Sequence, residues 1–461
     1  MPDTFTYTWP NGCLTKNKDW QPLAGAEGLL FRDMPEAPQQ LARDSRWPAL
    51  FPSPLSLVTT RDGDRIGLEK VVGASIVNRF PYIIALSFAR KDLSPRHHAR
   101  RNFCRMLESG RDAVVQFLEP GPDLNKVMEV IGSIDEAETA SRIAKTGFAH
   151  RKGAMVSAPV FEAAYLAYEA RLAQPARTFE GEPVLEQSWV DVGSHRIYFL
   201  EVKAIQLRDD IAEGRSQIKW KSMPDYEEPN RRTIQAGDLN RGGKYIKGYT
   251  PDYRFPAPGT IAFDRHSQAN GMSVHLLGDR AADQVQVDND KARWPCFFPS
   301  PVGMVTCWAD DGEPNLMPCG STTVVSRQPF VITPCISASA INQRYAPRAS
   351  TDFIRARGRF NVGVPFIDSA VTAAVQYAGN FSFRDDPEKV ARTGLAVSPA
   401  SAGAPILSDL PITFECRLVG EVPMGTHIMM LGEVERIVAH ASLGQTGHLR
   451  WNPFSVIEAV G

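Results

Sequence analysis

The chain has 461 residues, 43% of them hydrophobic and 22% charged, with 51 Lys and Arg against 52 Asp and Glu and a formal net charge of −1. That length exceeds one ordinary core and predicts two domains, while the apolar fraction excludes a disordered chain. The charge balance argues against nucleic acid as a partner, since such binding rests on neutralising phosphates.

In chain order, residues 1–45 read as a lead-in. The opening MPDTFTYTWPNGC has neither a basic nor an apolar leader segment, and no apolar run is long enough to span a bilayer, so a cytoplasmic protein with no membrane partner is expected. The phrase RWPALFPSP (46–54) then leads into the short β-branched runs LSLVTT, ASIVN, YIIALSF and AVVQFL, which read as strands. TRDGDR carries the Asp-Gly signal of a hairpin. ARRNFCRMLESG reads as a helix ending on a glycine cap, and DLNKVMEVIGSIDEAETASRIAKTG as further helix. VFEAAYLAYEARLA has helical, amphipathic periodicity.

Residues 206–292 read as a connector or arm, ordered because its polar first part keeps Trp220, Tyr245, Tyr249 and Tyr253. At 293–301 the phrase returns as RWPCFFPSP, with seven of nine positions identical. It leads into VGMVTC, TTVVS, FVITPC and FNVGVP, with WADDGEPN as the hairpin turn and STDFIRARG as a helix closing on Gly358.

The recurrence extends well past one phrase, whose offset is 293 − 46 = 247. The glycines of KTGF and RTGL lie 394 − 147 = 247 apart, and the prolines of RFPYIIAL and RQPFVITP 329 − 81 = 248 apart. SAPVF and GAPIL, like YEARL and FECRL, recur at 246. The histidines of SHRIYFLEV and THIMMLGEV differ by 427 − 195 = 232, so the first copy holds about fourteen extra residues after YEARL. Landmarks in constant order mark two copies of one domain, 46–205 and 293–461, and not a short-period solenoid. Because copies share a fold, VFEAAYLAYEARLA is assigned as strand like its counterpart ILSDLPITFECRLV, which contains Pro411. The sum is a mainly β protein with few helices, its short strands forming small closed or partly open barrels.

The second copy, from FPSPVGMVTCWADDGEPNLMPCGSTTVVSRQPFVITP through STDFIRARGRFNVGVP, EKVARTGLAVSP, GAPIL, FECRL and GTHIMMLGEV, resembles the flavin reductase-like, FMN-binding split-barrel family. The first copy departs where that family has Asn-x-x-Pro-x-Ser, with GLEKVVGAS in place of NLMPCGST. The resemblance implies two split β-barrel domains that form within one chain the interface family members form as homodimers. It implies a flavin-binding oxidoreductase, first of all one that reduces FMN (FAD in its place stays open) with NAD(P)H as diffusible reductant and passes reduced flavin to a partner oxygenase. The alternatives are an FMN-dependent enzyme acting on its own small organic substrate and a non-catalytic flavin-binding protein. Association of two such chains into a homodimer is left open.

The resemblance also implies site residues. In the second copy Asn315, Ser321, Thr322 and Thr323 follow the first hairpin, and Arg348, Ser350 and Thr351 open a predicted helix, where hydroxyls, amides and an arginine suit the flavin phosphate. Read alone, the latter three also fit an ordinary Ser/Thr N-cap beside a solvated arginine. In the first copy Arg100, Arg101 and Asn102 stand there, giving a more cationic site or a solvated basic face. His427 and His195 open strands, and the family's Gly-Asp-His histidine places both near the flavin ring as catalytic residues; a hydrogen-bonded structural histidine is the other reading.

No metal is assigned, because His97 and His98 lack a third ligand. Seven cysteines, odd in number and without a C-x-x-C pair, predict reduced thiols. No G-x-G-x-x-G follows a strand, GDLNRGGKY misses the Walker A spacing, and KTG lacks its β-lactamase partners.

Overall fold

The structure is a computed structural model. It describes residues 56–71, 73–78, 81–89, 98–118, 122–133, 142–177, 183–193, 195–209, 303–327, 329–337, 348–364, 374, 377–379, 381–398, 403–410 and 412–440, with further strands at 4–8, 217–221, 233–235, 263–267, 272–277 and 458–460. Both copies of the repeated phrase, at 46–54 and 293–301, and Tyr245, Tyr249 and Tyr253 lie outside the described residues.

After β1 (Thr4–Thr8), the first half opens with β2 (Ser56–Asp62), β3 (Arg65–Val71), β4 (Gly73–Asn78) and β5 (Ile83–Ala89). Helix α1 (His98–Gly110), β6 (Asp112–Leu118), α2 (Pro122–Ser133) and α3 (Arg142–Thr146) follow. Then come β7 (His150–Lys152), β8 (Pro159–Phe161), β9 (Ala164–Leu172), the short β10 (Ala176–Arg177), β11 (Pro183–Leu185) and β12 (Trp189–Val192), and the long β13 (His195–Arg208). The connector contributes β14 (Gln217–Lys221), β15 (Thr233–Gln235), β16 (Phe263–Ser267) and β17 (Met272–Leu277). The second half opens with β18 (Gly303–Trp308), β19 (Pro314–Cys319), β20 (Thr322–Arg327) and β21 (Phe330–Ser337). It continues with α4 (Ala349–Arg357), β22 (Arg359–Val364), α5 (Lys389–Thr393), β23 (Val397–Ser398) and β24 (Ile406–Leu407). The last strands are β25 (Ile412–Pro423), β26 (His427–His440) and β27 (Glu458–Val460).

The first sheet runs β3-β2-β6-β9-β13-β5-β4 and the second β19-β18-β22-β25-β26-β21-β20, all antiparallel. Strand for strand this is one plan used twice, a split barrel in each half. Even the irregularity repeats: the register shifts between Ile76 and Asn78 in β4 and between Val324 and Ser326 in β20.

The repeated motifs recur because the same hydrogen bonds recur. Buried Thr59 on β2 donates to Pro159 O at 2.5 Å, and its counterpart Thr306 on β18 donates to Pro405 O at 2.6 Å, so the Ala-Pro of each copy locks onto its first strand. Thr146 and Thr393 each donate back to the carbonyl three residues earlier, Ile143 O at 2.6 Å and Val390 O at 2.5 Å. The next residue, Gly147 or Gly394, takes φ of 68° or 74°, a turn open to glycine at little cost.

VFEAAYLAYEARLA contains strand β9, buried at every position from 164 to 170. Burial on both faces erases the polar alternation that marks a strand, leaving the misleading helical period. The glycine caps split. Gly358 closes α4 with φ 66°, donating to Ile354 O. At α1 the left-handed residue is Arg111 (φ 62°), one place after the glycine that the sequence marks as the cap. Gly110 answers a different need, since a Cβ there would lie 1.8 Å from Arg61 O. The long helical stretch of the first half is helix at 122–133 and 142–146.

The two halves exchange strands. β1 pairs with β26 from Thr4–His440 to Thr8–Arg436, and β17 pairs with β13 from Met272–Arg208 to Leu276–Ala204. Since 440 − 208 and 436 − 204 both equal 232, the separation of the two histidines, each sheet is extended at the same register by a strand that precedes the other half in sequence. The connector also forms β15-β14-β27 with the C-terminal strand.

Cores are shared as well. One buried cluster joins Val77, Ile83 and Phe199 of the first half to Val325, Val331, Met429 and Leu431 of the second. Leu185 and Val192, from the first half's extra residues, belong to the same cluster. Ser87 Oγ donates across the seam to Val325 O at 2.6 Å. The halves therefore form a pseudo-dimer within the chain. Among the described residues no helix is long and apolar enough to cross a membrane, and no group of His, Cys, Asp and Glu could hold a metal ion. Among the described residues the five cysteines form no disulfide with one another.

The two glycines make a direct test. Gly110→Ala forces β2 and α1 apart and is expected to cost at least about 3 kcal/mol of unfolding free energy, against about 1–2 kcal/mol for the conformational strain of Gly358→Ala. Denaturant titration measures both, and equal losses would overturn the close-approach account of Gly110.

Candidate functional site

Helix α4 begins after Arg348, an extended N-cap residue (φ −77°, ψ 138°) that makes no side-chain cap hydrogen bond. Ser350 and Thr351 are therefore not cap residues. They sit in the first turn, 3% and 1% exposed. Asn315 on β19 donates through Nδ2 to Ser350 Oγ at 2.8 Å and to Cys307 Sγ at 3.4 Å. Asn315 Oδ1 and Thr351 Oγ1 are buried without a partner. Each such group costs about 1–3 kcal/mol, a penalty that a polar ligand supplying a donor and an acceptor would relieve.

Lys389, which opens α5, completes this cluster, and sequence reasoning missed it. It is 3% exposed and donates to Phe381 O at 3.2 Å. Its ammonium is lowered to about 8, first by burial and then by Arg348, with Cys307 and Asp386 offsetting part of the shift. Two cations thus converge near the start of α4, where the helix dipole also favours negative charge. The lysine stood inside the landmark EKVARTG, but a lysine in a short helix ordinarily reads as solvated.

His427 joins the cluster through the backbone. It lies opposite Ser337 on β21, and Ser337 O accepts Arg348 N at 3.1 Å. Its backbone N–H donates across the seam to Asn78 Oδ1 at 3.1 Å.

The structure gathers Asn315, Arg348, Ser350 and Thr351 with Lys389 and separates the other predicted donors. Thr322 Oγ1 is committed to Cys319 O at 3.0 Å, within the turn between β19 and β20. Ser321, partly exposed, accepts Cys335 N on its carbonyl at 2.9 Å. Thr323 lies opposite Thr333, both hydroxyls buried without partners. By strand alternation Thr333 shares a face with Val331 and Cys335, which belong to the cluster between the halves. His195 takes His427's register position in the first half, opposite Ala89.

The corresponding place in the first half is filled with apolar side chains. Gly67 pairs with Thr60 as Asn315 pairs with Cys307. A Cβ on Gly67 would meet Phe103 Cδ2 at 3.0 Å and Met106 Sδ at 3.4 Å. Phe103, fully buried, is the counterpart of Ser350 on the facing helix, because the closing bonds Arg111 N to Leu107 O and Gly358 N to Ile354 O lie 247 residues apart, as Phe103 and Ser350 do. Arg142, at Lys389's position (389 − 142 = 247), is spent on a buried ion pair with Glu69 Oε2 at 3.2 Å. The side chains of Arg100 and Arg101, on which the more cationic first-copy site rests, lie outside the described residues.

Residues 295–452 match the family described as "Flavin reductase like domain". Solved structures similar to this chain include nitrilotriacetate monooxygenase component B from Bacillus cereus, at 18% identity over 40% of this chain and 93% of that one, with a TM-score of 0.32. The flavoredoxin of Desulfovibrio vulgaris (Miyazaki F) is similar at 22% identity over 36% and 88%, with a TM-score of 0.28. The 2-nitrobenzoate 2-nitroreductase of Pseudomonas fluorescens is similar at 18% identity over 33% and 72%, with a TM-score of 0.28. No curated protein matches the chain.

Lys389 makes stability depend on pH in a defined direction. Its folded value of about 8 lies below the ordinary 10.5. Between those values the unfolded chain binds more protons, so this group makes stability rise with pH through that window. Melting profiles of the ligand-free protein and of Lys389→Met should diverge there, with the wild type gaining relative to the variant as pH rises. Parallel profiles would show that the amine is not buried as described.

Proposed function

We propose, from the flavin reductase like domain at 295–452, that this protein is a flavin-binding oxidoreductase reducing FMN at the expense of NAD(P)H. The observation that carries this reading is the convergence of Arg348, Lys389 and the first turn of α4 on a spot where Thr351 Oγ1 and Asn315 Oδ1 lack partners. Such a set fits a phosphate and the polar tail behind it. Arg348, Lys389, Ser350 and Thr351 would hold the phosphate, Asn315 would accept from a hydroxyl or N–H of the tail, and Thr323 would face the seam between the halves. When bound, the flavin supplies hydride and electron transfer. His427 would hold a proton beside the reacting region. NAD(P)H would act as a diffusible reductant, with reduced flavin passing to an oxygenase.

Because Phe103 and the Arg142–Glu69 pair fill the first half's counterpart, one flavin binds per chain. The same asymmetry favours a second reading, in which bound flavin acts on a small organic substrate against the divergent half. A reductase that merely releases flavin has no use for two unlike halves.

Titration of the purified protein with FMN should saturate at one equivalent. Lys389→Met should weaken FMN about 10–100-fold while leaving riboflavin nearly unchanged. Saturation at two equivalents, or no binding, would defeat the assignment of the site. Rapid NADH oxidation with excess FMN supports the first reading. Tight flavin with negligible free-flavin turnover supports the second.

A further inference from the structure

We infer that Asn78, from the first half, is a positioning residue that sets the ring tautomer of His427 in the second, so that Nδ1 carries the proton and Nε2 is the basic nitrogen. Asn78 is 1% exposed at the end of β4. Its Nδ2 donates to Pro81 O at 2.8 Å, which orients the amide with Oδ1 facing the other half. There Oδ1 accepts His427 N at 3.1 Å. A backbone N–H can only donate, so the amide atom facing it must be oxygen, independently of the Pro81 contact.

The same Oδ1 lies 2.8 Å from Thr426 Oγ1, which lies 2.8 Å from His427 Nδ1. A threonine hydroxyl has one hydrogen, and an amide oxygen only accepts. The hydrogen therefore points at Asn78, and Thr426 turns a lone pair toward the ring. Nδ1 must then be the donor, and in the neutral ring Nε2 is the acceptor. Thr426 and His427 are 1% and 9% exposed, so water competes weakly for this chain of bonds. Its members lie 348 and 349 residues apart in sequence, and only the folded pseudo-dimer assembles them.

The amide stands on one side of the pseudo-dimer. By register Asn78 pairs with Ile83 as Ser326 pairs with Val331, so Ser326 is the counterpart of Asn78. A serine hydroxyl both donates and accepts, and it does not dictate which way a neighbouring hydrogen points. His427, beside the polar cluster, thus faces an amide at a place where the other pairing holds Ser326.

The role in turnover rests on the proposed flavin chemistry, but the tautomer does not, and the two are read separately. Nitrogen NMR of the full chain labelled at histidine, with His427→Gln to assign the signal, reports the protonated ring nitrogen without flavin. At a pH where the ring is neutral, the wild type should show a protonated Nδ1 and a pyridine-type Nε2. Asn78→Asp keeps an acceptor oxygen and should retain that pattern. Thr426→Val, close in size, should lose it, with Nε2 taking up the proton in a mixture or outright. A pyridine-type Nδ1 in the wild type, or an unchanged pattern in Thr426→Val, would overturn the inference. Absence of flavin binding would touch only the functional reading.

Discussion

The structure depends on an apolar seam that neither half can close alone. Val77, Ile83 and Phe199 bury themselves against Val325, Val331, Met429 and Leu431, and each such side chain contributes about 1.5–3 kcal/mol when withdrawn from water. Removing one half would expose that surface and strip the partner sheet of its donated strand. Covalent linkage makes the pairing intramolecular, so the two barrels meet at high effective concentration.

A fused pair also escapes the symmetry that constrains a homodimer, where any change appears on both sides. This chain has used that freedom. One half keeps an amide, two hydroxyls, an arginine and a buried lysine around the start of a helix. The other has a glycine, a phenylalanine and a buried Arg–Glu pair in the matching places. The scaffold threonines and turn glycines are retained in both halves, because they hold the barrels together whichever half carries chemistry. The extra residues after β9 went into the seam, where Leu185 and Val192 add to the shared core.

Much of this was legible in the chain. Offsets near 247 announced the duplication, and the structure resolves them into matching hydrogen bonds at Thr59 and Thr306 and at Thr146 and Thr393. Asn315, Arg348, Ser350 and Thr351, singled out through the resemblance of the second copy, are brought together at the start of one helix. Lys389 was not singled out, since its importance lies in its burial, and a lysine's burial is invisible until packing is known. The cap at Gly110 was misassigned because glycine serves two needs, left-handed φ and close backbone approach, and the sequence does not say which.

Taken by itself, the sequence determined the strand runs, the two copies, the turn glycines and the chemistry available to each half, because these follow from local pattern and residue type. Tertiary structure alone decided that β1 and β17 cross to the opposite sheets, that Phe103 occupies the first half's cavity, and that Asn78 reaches Thr426 and His427. Those are contacts between residues tens to hundreds of positions apart, and they arise only when apolar faces find each other and exclude water.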